Sequence, residues 1–233
     1  MKQSQKTLLI ALGTMAVLII LITAITRGKF TTLNGQTDYE PVDLAVVSQL
    51  KDFNKIDMSG LWNAQINHST DWSIQLLSEN IEEQNIKVFV KDQTLYLKQK
   101  GIKFLNNSDD QSITIAMPLL TKLNSAGASK TTISGFNADN LDLSIAGAAE
   151  LNGNSSQFTH LDIDAAGAVE INFDDVITTN VNVNAAGAND VVLNMNGGNL
   201  NGSIAGAGSI KYYGNIANKN ISIFGAGSVD NIK

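Results

Sequence analysis

Along most of the chain apolar and polar residues alternate one for one, the period of an extended strand with one buried face. Between Phe53 and Pro118 the alternating runs are short: Ile56 and Met58; Trp62, Ala64 and Ile66; Trp72, Ile74 and Leu76; Ile86, Val88 and Val90; Leu95 and Leu97; Ile113, Ile115 and Met117. Ser-Gly, His-Ser-Thr, Lys-Asp-Gln and Asn-Asn-Ser-Asp-Asp separate them, so this region is predicted to be short strands joined by tight turns. The segment Glu79 to Gln84 is long enough for one helical turn and no more.

From Thr121 onward the alternation acquires a longer period. A Gly followed by Ala recurs at Gly127, Gly147, Gly167, Gly187, Gly206 and Gly225, at intervals of 20, 20, 20, 19 and 19. Aligned on that Gly, apolar residues occupy fixed columns: Leu141 and Leu143, Leu161 and Ile163, Val181 and Val183 stand six and four places before it. Leu151, Ile171, Val191 and Ile210 stand four places after it. Such self-similarity marks a stacked repeat architecture. The alternation is expected to change phase across Ala-Gly-Ala, making each repeat two short strands with a corner between them. Equivalent strands stacked in parallel give a single-stranded β-helix of six rungs, roughly 29 Å long at about 4.8 Å per rung. The rule for parallel crossovers makes it right-handed. The Gly-Ala pair is read sterically, since a corner stacked on identical corners has no space for a large side chain and Gly permits φ > 0.

The start of the chain breaks the pattern. Eighteen residues without a charge, Leu8 to Ile25, lie between Lys2, Lys6 and Arg27, Lys29. As a helix they would extend about 27 Å, close to the hydrocarbon thickness of a bilayer. Residues 1–27 are therefore expected to be a membrane anchor, with cleavage as a signal peptide after Ala24 as the alternative. Residues 28–50 follow as a tether, with a short helix suggested by Leu44, Val47 and Leu50. Residues 51–233 form the folded domain, irregular coils over 51–120 and six repeats over 121–233. The N-terminus is placed inside the cytoplasmic membrane and the repeats on the periplasmic or extracellular side.

Composition narrows the partners. The net charge is −6, and the repeat half carries Lys122, Lys130, Lys211, Lys219 and Lys233 against ten acidic residues, which argues against nucleic acid. The absence of Cys removes disulfides and thiolate metal sites, and two His residues, His68 and His160, do not make a His cluster.

Phe53-Asn-Lys-Ile56 with Ser59-Gly60, the strand ending Met117-Pro118-Leu119 with Leu123 and the first Ser-Ala-Gly, and the recurring Ala-Gly-Ala and Gly-Ala-Gly rungs resemble the bacterial GIN domain, the head domain of auto-transporter adhesins. The likeness covers about Phe53 to Val229. It implies an exported β-helix with an adhesin-like role and brings no catalytic residues. An uncleaved apolar helix departs from the signal peptide or lipoprotein Cys common among such exported proteins.

Candidate chemistry is sparse. The Gly-Ala-Gly-Ser segments at Gly206 and Gly225 lack the third Gly and the helix of a phosphate-binding loop, and a 20-residue period does not fit nine-residue calcium-binding rolls. His68, Ser69 and Asp71 hold the residue types of a hydrolytic triad within a single turn, where they cannot converge. Trp62 and Trp72 are either core or a sugar-stacking platform. Three places after the central Gly, an outward column holds Lys130, Glu150, Glu170, Asp190, Ser209 and Ser228. The stacked carboxylates Glu150, Glu170 and Asp190 are either solvated side chains, a weak Ca²⁺ site or a contact for a basic partner. The outward Asn, Ser and Asp columns five and three places before the Gly are either stabilising ladders or a glycan-binding face. The last rung, without a covering segment, predicts self-association or strand addition. The expected function is a non-enzymatic, membrane-tethered binding or adhesion module of the cell envelope, with a glycan or envelope protein as partner and no cofactor. The alternatives are a self-assembling structural component and a polysaccharide-acting β-helix enzyme.

Overall fold

The computed structural model describes residues 44–77, 86–99 and 111–232, all within the larger of two units into which the chain divides, Tyr39–Lys233. The apolar run 8–25, most of the tether and the segment Glu79 to Gln84 lie outside the described residues. Among the described residues no helix is long and apolar enough to cross a membrane.

The spacing of Leu44, Val47 and Leu50 yields a single helical turn, α1 (Leu44–Val47), with Val47 buried and the Ser48 N–H donating to the Leu44 carbonyl at 3.0 Å. Among the described residues all other regular structure is strand. The strands are β1 (Lys55–His68), β2 (Ser73–Leu77), β3 (Ile86–Lys91), β4 (Thr94–Gln99) and β5 (Gln111–Met117), then β6 (Lys122–Ser134), β7 (Asn137–Asn154), β8 (Ser156–Asn196), β9 (Asn199–Asn215) and β10 (Asn218–Asn231). They form one open sheet in the order β10-β9-β8-β7-β6-β1-β4-β3, with β5 on β1 and β2 on β5.

The sequence period sets the register. Gly127 pairs with Gly147, Gly147 with Gly167, Gly187 with Gly206 and Gly206 with Gly225, all in parallel ladders. A one-residue slip would turn every apolar side chain outward, so the columns and the ladder enforce each other. Leu143, Ile163 and Val183 are at most 1% exposed and belong to one cluster running from Val47 to Tyr212.

Two expectations are corrected. The strands do not break at the glycines: β7 runs unbroken through Gly147, and the 41-residue β8 runs through Gly167 and Gly187. Nor does the alternation change phase. Leu161, Ile163, Ala165, Val169, Ile171 and Phe173 are all odd-numbered and all buried, while Gly167, at the position alternation alone would turn inward, is exposed. A φ of +120° at Gly167 points that one residue outward without disturbing the parity on either side. The second correction concerns 51–120, expected as irregular coils. Gly60, with φ +121°, pairs with Gly127, so β1 is a seventh member of the Gly column.

The ends of the stack differ. On the far side of β1, β4 pairs in parallel with Lys55–Ser59 and β5 with Trp62–His68. Antiparallel β3 and β2 then cover β4 and β5. Asp92 and Gln93, with φ of 50° and 58°, make the two-residue turn between β3 and β4, as hairpin twist requires. Above Gly60 sits Gln99, whose Oε1 accepts the Leu61 N–H at 2.9 Å. Among the described residues nothing pairs with the far side of β10.

Candidate functional site

The seven glycines are structural. A Cβ built on Gly147, Gly167, Gly187, Gly206 or Gly225 falls far inside contact distance of the carbonyl oxygen of the preceding glycine in the column. The Gly-Ala-Gly-Ser segments at Gly206 and Gly225 lie within β9 and β10, with no helix after them.

The carboxylate column faces outward as its parity requires, but two of its three carboxylates, Glu150 and Asp190, are engaged by neighbours. Lys130 Nζ lies 3.0 Å from Glu150 Oε2, and Asn152 Nδ2 donates to Glu150 Oε1 at 2.8 Å. Asn152 first, and Lys130 with it, hold the Glu150 carboxyl below its ordinary value. Ser209 Oγ donates to Asp190 Oδ1 at 2.6 Å. Glu170 is register-paired with Glu150 and exposed. Among the described residues no three His, Asp or Glu side chains gather closely enough to hold a metal ion.

The outward column three places before the Gly forms a hydrogen-bonded ladder. Asn124 Nδ2 donates to Asp57 Oδ2, Asn184 Nδ2 to Asp164 Oδ1, and Ser203 Oγ to Asn184 Oδ1, each across one rung interface. A second ladder joins Asn218 to Asn199 and Asn199 to Asn180. Lys122 approaches Asp142 at 3.8 Å.

Trp62 is 2% exposed, with Nε1 donating to the Ser59 carbonyl. Trp72 is half-buried and donates to the Phe53 carbonyl at 2.8 Å, so both side chains belong to core and cap. His68 stands edge-on to Phe136, and Ser69 Oγ accepts the Asp71 N–H, so these three make a plain turn.

Sequence reasoning missed one surface cluster. On β3 and β4, Phe89 and Tyr96 stack at 4.9 Å between centroids, and Lys87 and Lys98 are paired directly opposite each other beside them. Lys98 Nζ lies 5.0 Å from the Tyr96 centroid and Lys87 Nζ 5.7 Å from that of Phe89. Cation–π attraction offsets the like-charge juxtaposition. The signal was present in the two-residue Asp92-Gln93 turn, which forces 89 against 96 and 87 against 98.

The last surface feature is β10 itself. Ile223 and Phe224 are 41% and 57% exposed, whereas their partners one rung earlier, Ile204 and Ala205, are 2% and 6% exposed.

With this architecture in place, comparison with family models decides the affiliation: the model described as "Putative auto-transporter adhesin, head GIN domain" matches residues 52–216 and 160–232. The chain belongs to this GIN-domain family. The GIN domain here is similar to the crystal structure of a "putative adhesin" from Bacteroides fragilis, with 28% identity, a TM-score of 0.57, and coverage of 78% of this chain and 94% of that one. Looser likenesses include a "putative adhesin" from Parabacteroides merdae, at 18% identity and a TM-score of 0.47 over 79% and 93% of the two chains. A "putative lipid binding protein" from Parabacteroides distasonis stands at 19% and 0.47 over 79% and 94%. Among curated proteins no match is found.

Proposed function

We propose that this GIN domain is an exported, membrane-tethered binding or adhesion module of the cell envelope that performs no catalysis. In this reading the parallel strands wind as a single right-handed coil, residues 8–25 cross the cytoplasmic membrane, and the coil stands on its outer side. Membership of an adhesin-head family and the uncharged 18-residue run support export and tethering. One observation carries the binding reading: outward side chains of one chemical kind recur rung after rung, held by ladders such as Asp164–Asn184–Ser203. A rigid face that repeats at about 4.8 Å suits a partner that also repeats, such as an envelope polysaccharide. The column of Glu150, Glu170 and Asp190 is where a basic group of a partner would sit.

The enzyme alternative needs convergent carboxylates with Arg or Lys in a groove. Against it, Glu150 and Asp190 are engaged by neighbours along the stack, and residues 121–233 contain no Arg. A self-assembling structural role is the second reading, favoured by the exposed β10 edge.

The test uses the full chain in its own membrane. Protease added to intact cells should cleave it, and cells bearing it should be retained on immobilised envelope polysaccharide while cells lacking it wash off. Protection from protease in intact cells, or equal retention of both cell types on every glycan tried, would overturn the proposal.

A further inference from the structure

We propose that β10 is a self-complementary edge through which two copies of this chain join about a two-fold axis at Gly225, their β10 strands pairing antiparallel.

The edge is the long one: the outermost strands at the other end, β3 and β2, have six and five residues. β10 pairs with β9 on one side only among the described residues, leaving main-chain N–H and C=O groups unpaired along fourteen residues. The apolar columns continue into it: Ile221 and Val229 are half-buried, and Ile223 and Phe224 are exposed. Stacking one more strand here would bury Ile223 and Val229 as their partners Ile204 and Ile210 are buried one rung earlier, at 2% and 1% exposure.

The opposite end of a second copy cannot be that strand. Its first Gly rung, β1, is already paired by β4 and β5, these in turn by antiparallel β3 and β2, and Gln99 occupies the place above Gly60. The cap therefore offers no parallel Gly rung, only the short antiparallel strands β3 and β2, and head-to-tail continuation of the columns is blocked. The edge that matches β10 in length and columns is β10 of the second copy, which makes the contact isologous.

The sequence of β10 fits itself in that arrangement. A two-fold axis at Gly225 exchanges the strand's two arms, placing residue 225 + n of one copy opposite 225 − n of the other. Phe224 then meets Ala226, Ile223 meets Gly227, Ser222 meets Ser228, and Ile221 meets Val229. Every pair joins positions of like parity, so core-facing side chains meet core-facing side chains and the two cores become continuous. Each large side chain meets a smaller one. Beyond them Asn220 meets Asp230 and Lys219 meets Asn231, so no like charges face each other. Centring on Gly225 also superposes the one residue whose stacking tolerates no Cβ, with φ +137°.

The chain contains no Cys, so disulfide crosslinking of the full chain in mild detergent reads this register directly. Ser222→Cys and Ser228→Cys chains, mixed and oxidised, should give severalfold more crosslinked dimer than either variant alone. Ile223→Lys in both should abolish it while the far-UV circular dichroism stays that of the parent. Absence of crosslinks from the mixture, equal yields from the single variants, or crosslinking that survives Ile223→Lys would each overturn the proposal. A chain that sediments as a monomer at high micromolar concentration would do so too, pointing to a different strand as the occupant of this edge.

Discussion

Replacing Gly167 by Ala tests the stacking argument most sharply. The added Cβ would fall deep inside the contact shell of the Gly147 carbonyl oxygen and 3.0 Å from its carbon. At φ +120° an L residue is strained by about 1–3 kcal/mol. Relieving the overlap means moving two rungs apart by about 1 Å, which lengthens two or three ladder hydrogen bonds, each contributing about 0.5–1.5 kcal/mol. The total is about 4 kcal/mol, and at about 2–4 °C per kcal/mol for a domain of this size Tm should fall by about 8–16 °C. The control is Gly197→Ala, where φ is +77° and nothing lies within 4 Å of the new Cβ. That variant carries backbone strain alone, about 1–2 kcal/mol. Differential scanning calorimetry of both in the full chain separates strain from clash. If Gly167→Ala loses no more than Gly197→Ala, the glycines are there for their φ and the close stacking explains nothing.

Four further outcomes follow from particular residues. Asn189 is 4% exposed with an unpartnered Oδ1, in the column where Val169 is 3% exposed, so Asn189→Val should stabilise by about 1 kcal/mol, read as a higher urea midpoint; a lower midpoint overturns that account. Gln99→Ala removes the acceptor for the Leu61 N–H and should cost about 1–2 kcal/mol, with faster hydrogen exchange at the Leu61 amide as the local readout. The Glu150 carboxyl is held below its ordinary 4.5, so its contribution to stability is present above that pH and is lost as pH falls through the folded value; Asn152→Ala and Lys130→Met should each raise its NMR titration midpoint. With the Lys130 and Glu150 side chains 60% and 40% exposed, the pair itself contributes only about 0–1 kcal/mol. Millimolar Ca²⁺ should leave Tm within a degree, because Glu150 and Asp190 are engaged by neighbours; a rise of several degrees would make Glu150, Glu170 and Asp190 a cation site.

The repeat half was legible because period and alternation are both local. Leu141, Leu143 and Leu151 declare their faces without reference to anything distant, and the fixed Gly spacing sets the register. Gly60 was harder to place. Its neighbours Ile56, Met58, Ala64 and Ile66 obey the same columns, but 67 residues separate it from Gly127, and a period of 20 does not find it. The interruption that hid it is the cap, whose antiparallel strands follow a different rule. Phase at the corners was misread because Gly167 has the inward parity and alternation assumes φ < 0 throughout; a single mirror-β residue breaks that assumption without leaving a trace in its neighbours. At the candidate site, which columns point outward could be read from parity. Their partners could not, since whether Glu150 takes Lys130 or splays into water depends on rotamers that no pattern encodes.

A stack capped by antiparallel strands at one end and, among the described residues, ending in a bare parallel rung at the other has a direction, and so does the process that makes it. The capped end is made from the earlier part of the chain, so it is complete first during synthesis. Its longest closure, β1 onto β6 across 67 residues, costs about 1 kcal/mol more in chain entropy than closing 20. Once that is done, each later strand needs only a finished surface 19 or 20 residues behind it, with the glycine carbonyl already in place to reject the wrong register. The cap thus acts as a seed, and the remainder of the domain is laid down on it by accretion, in the order in which the ribosome supplies it.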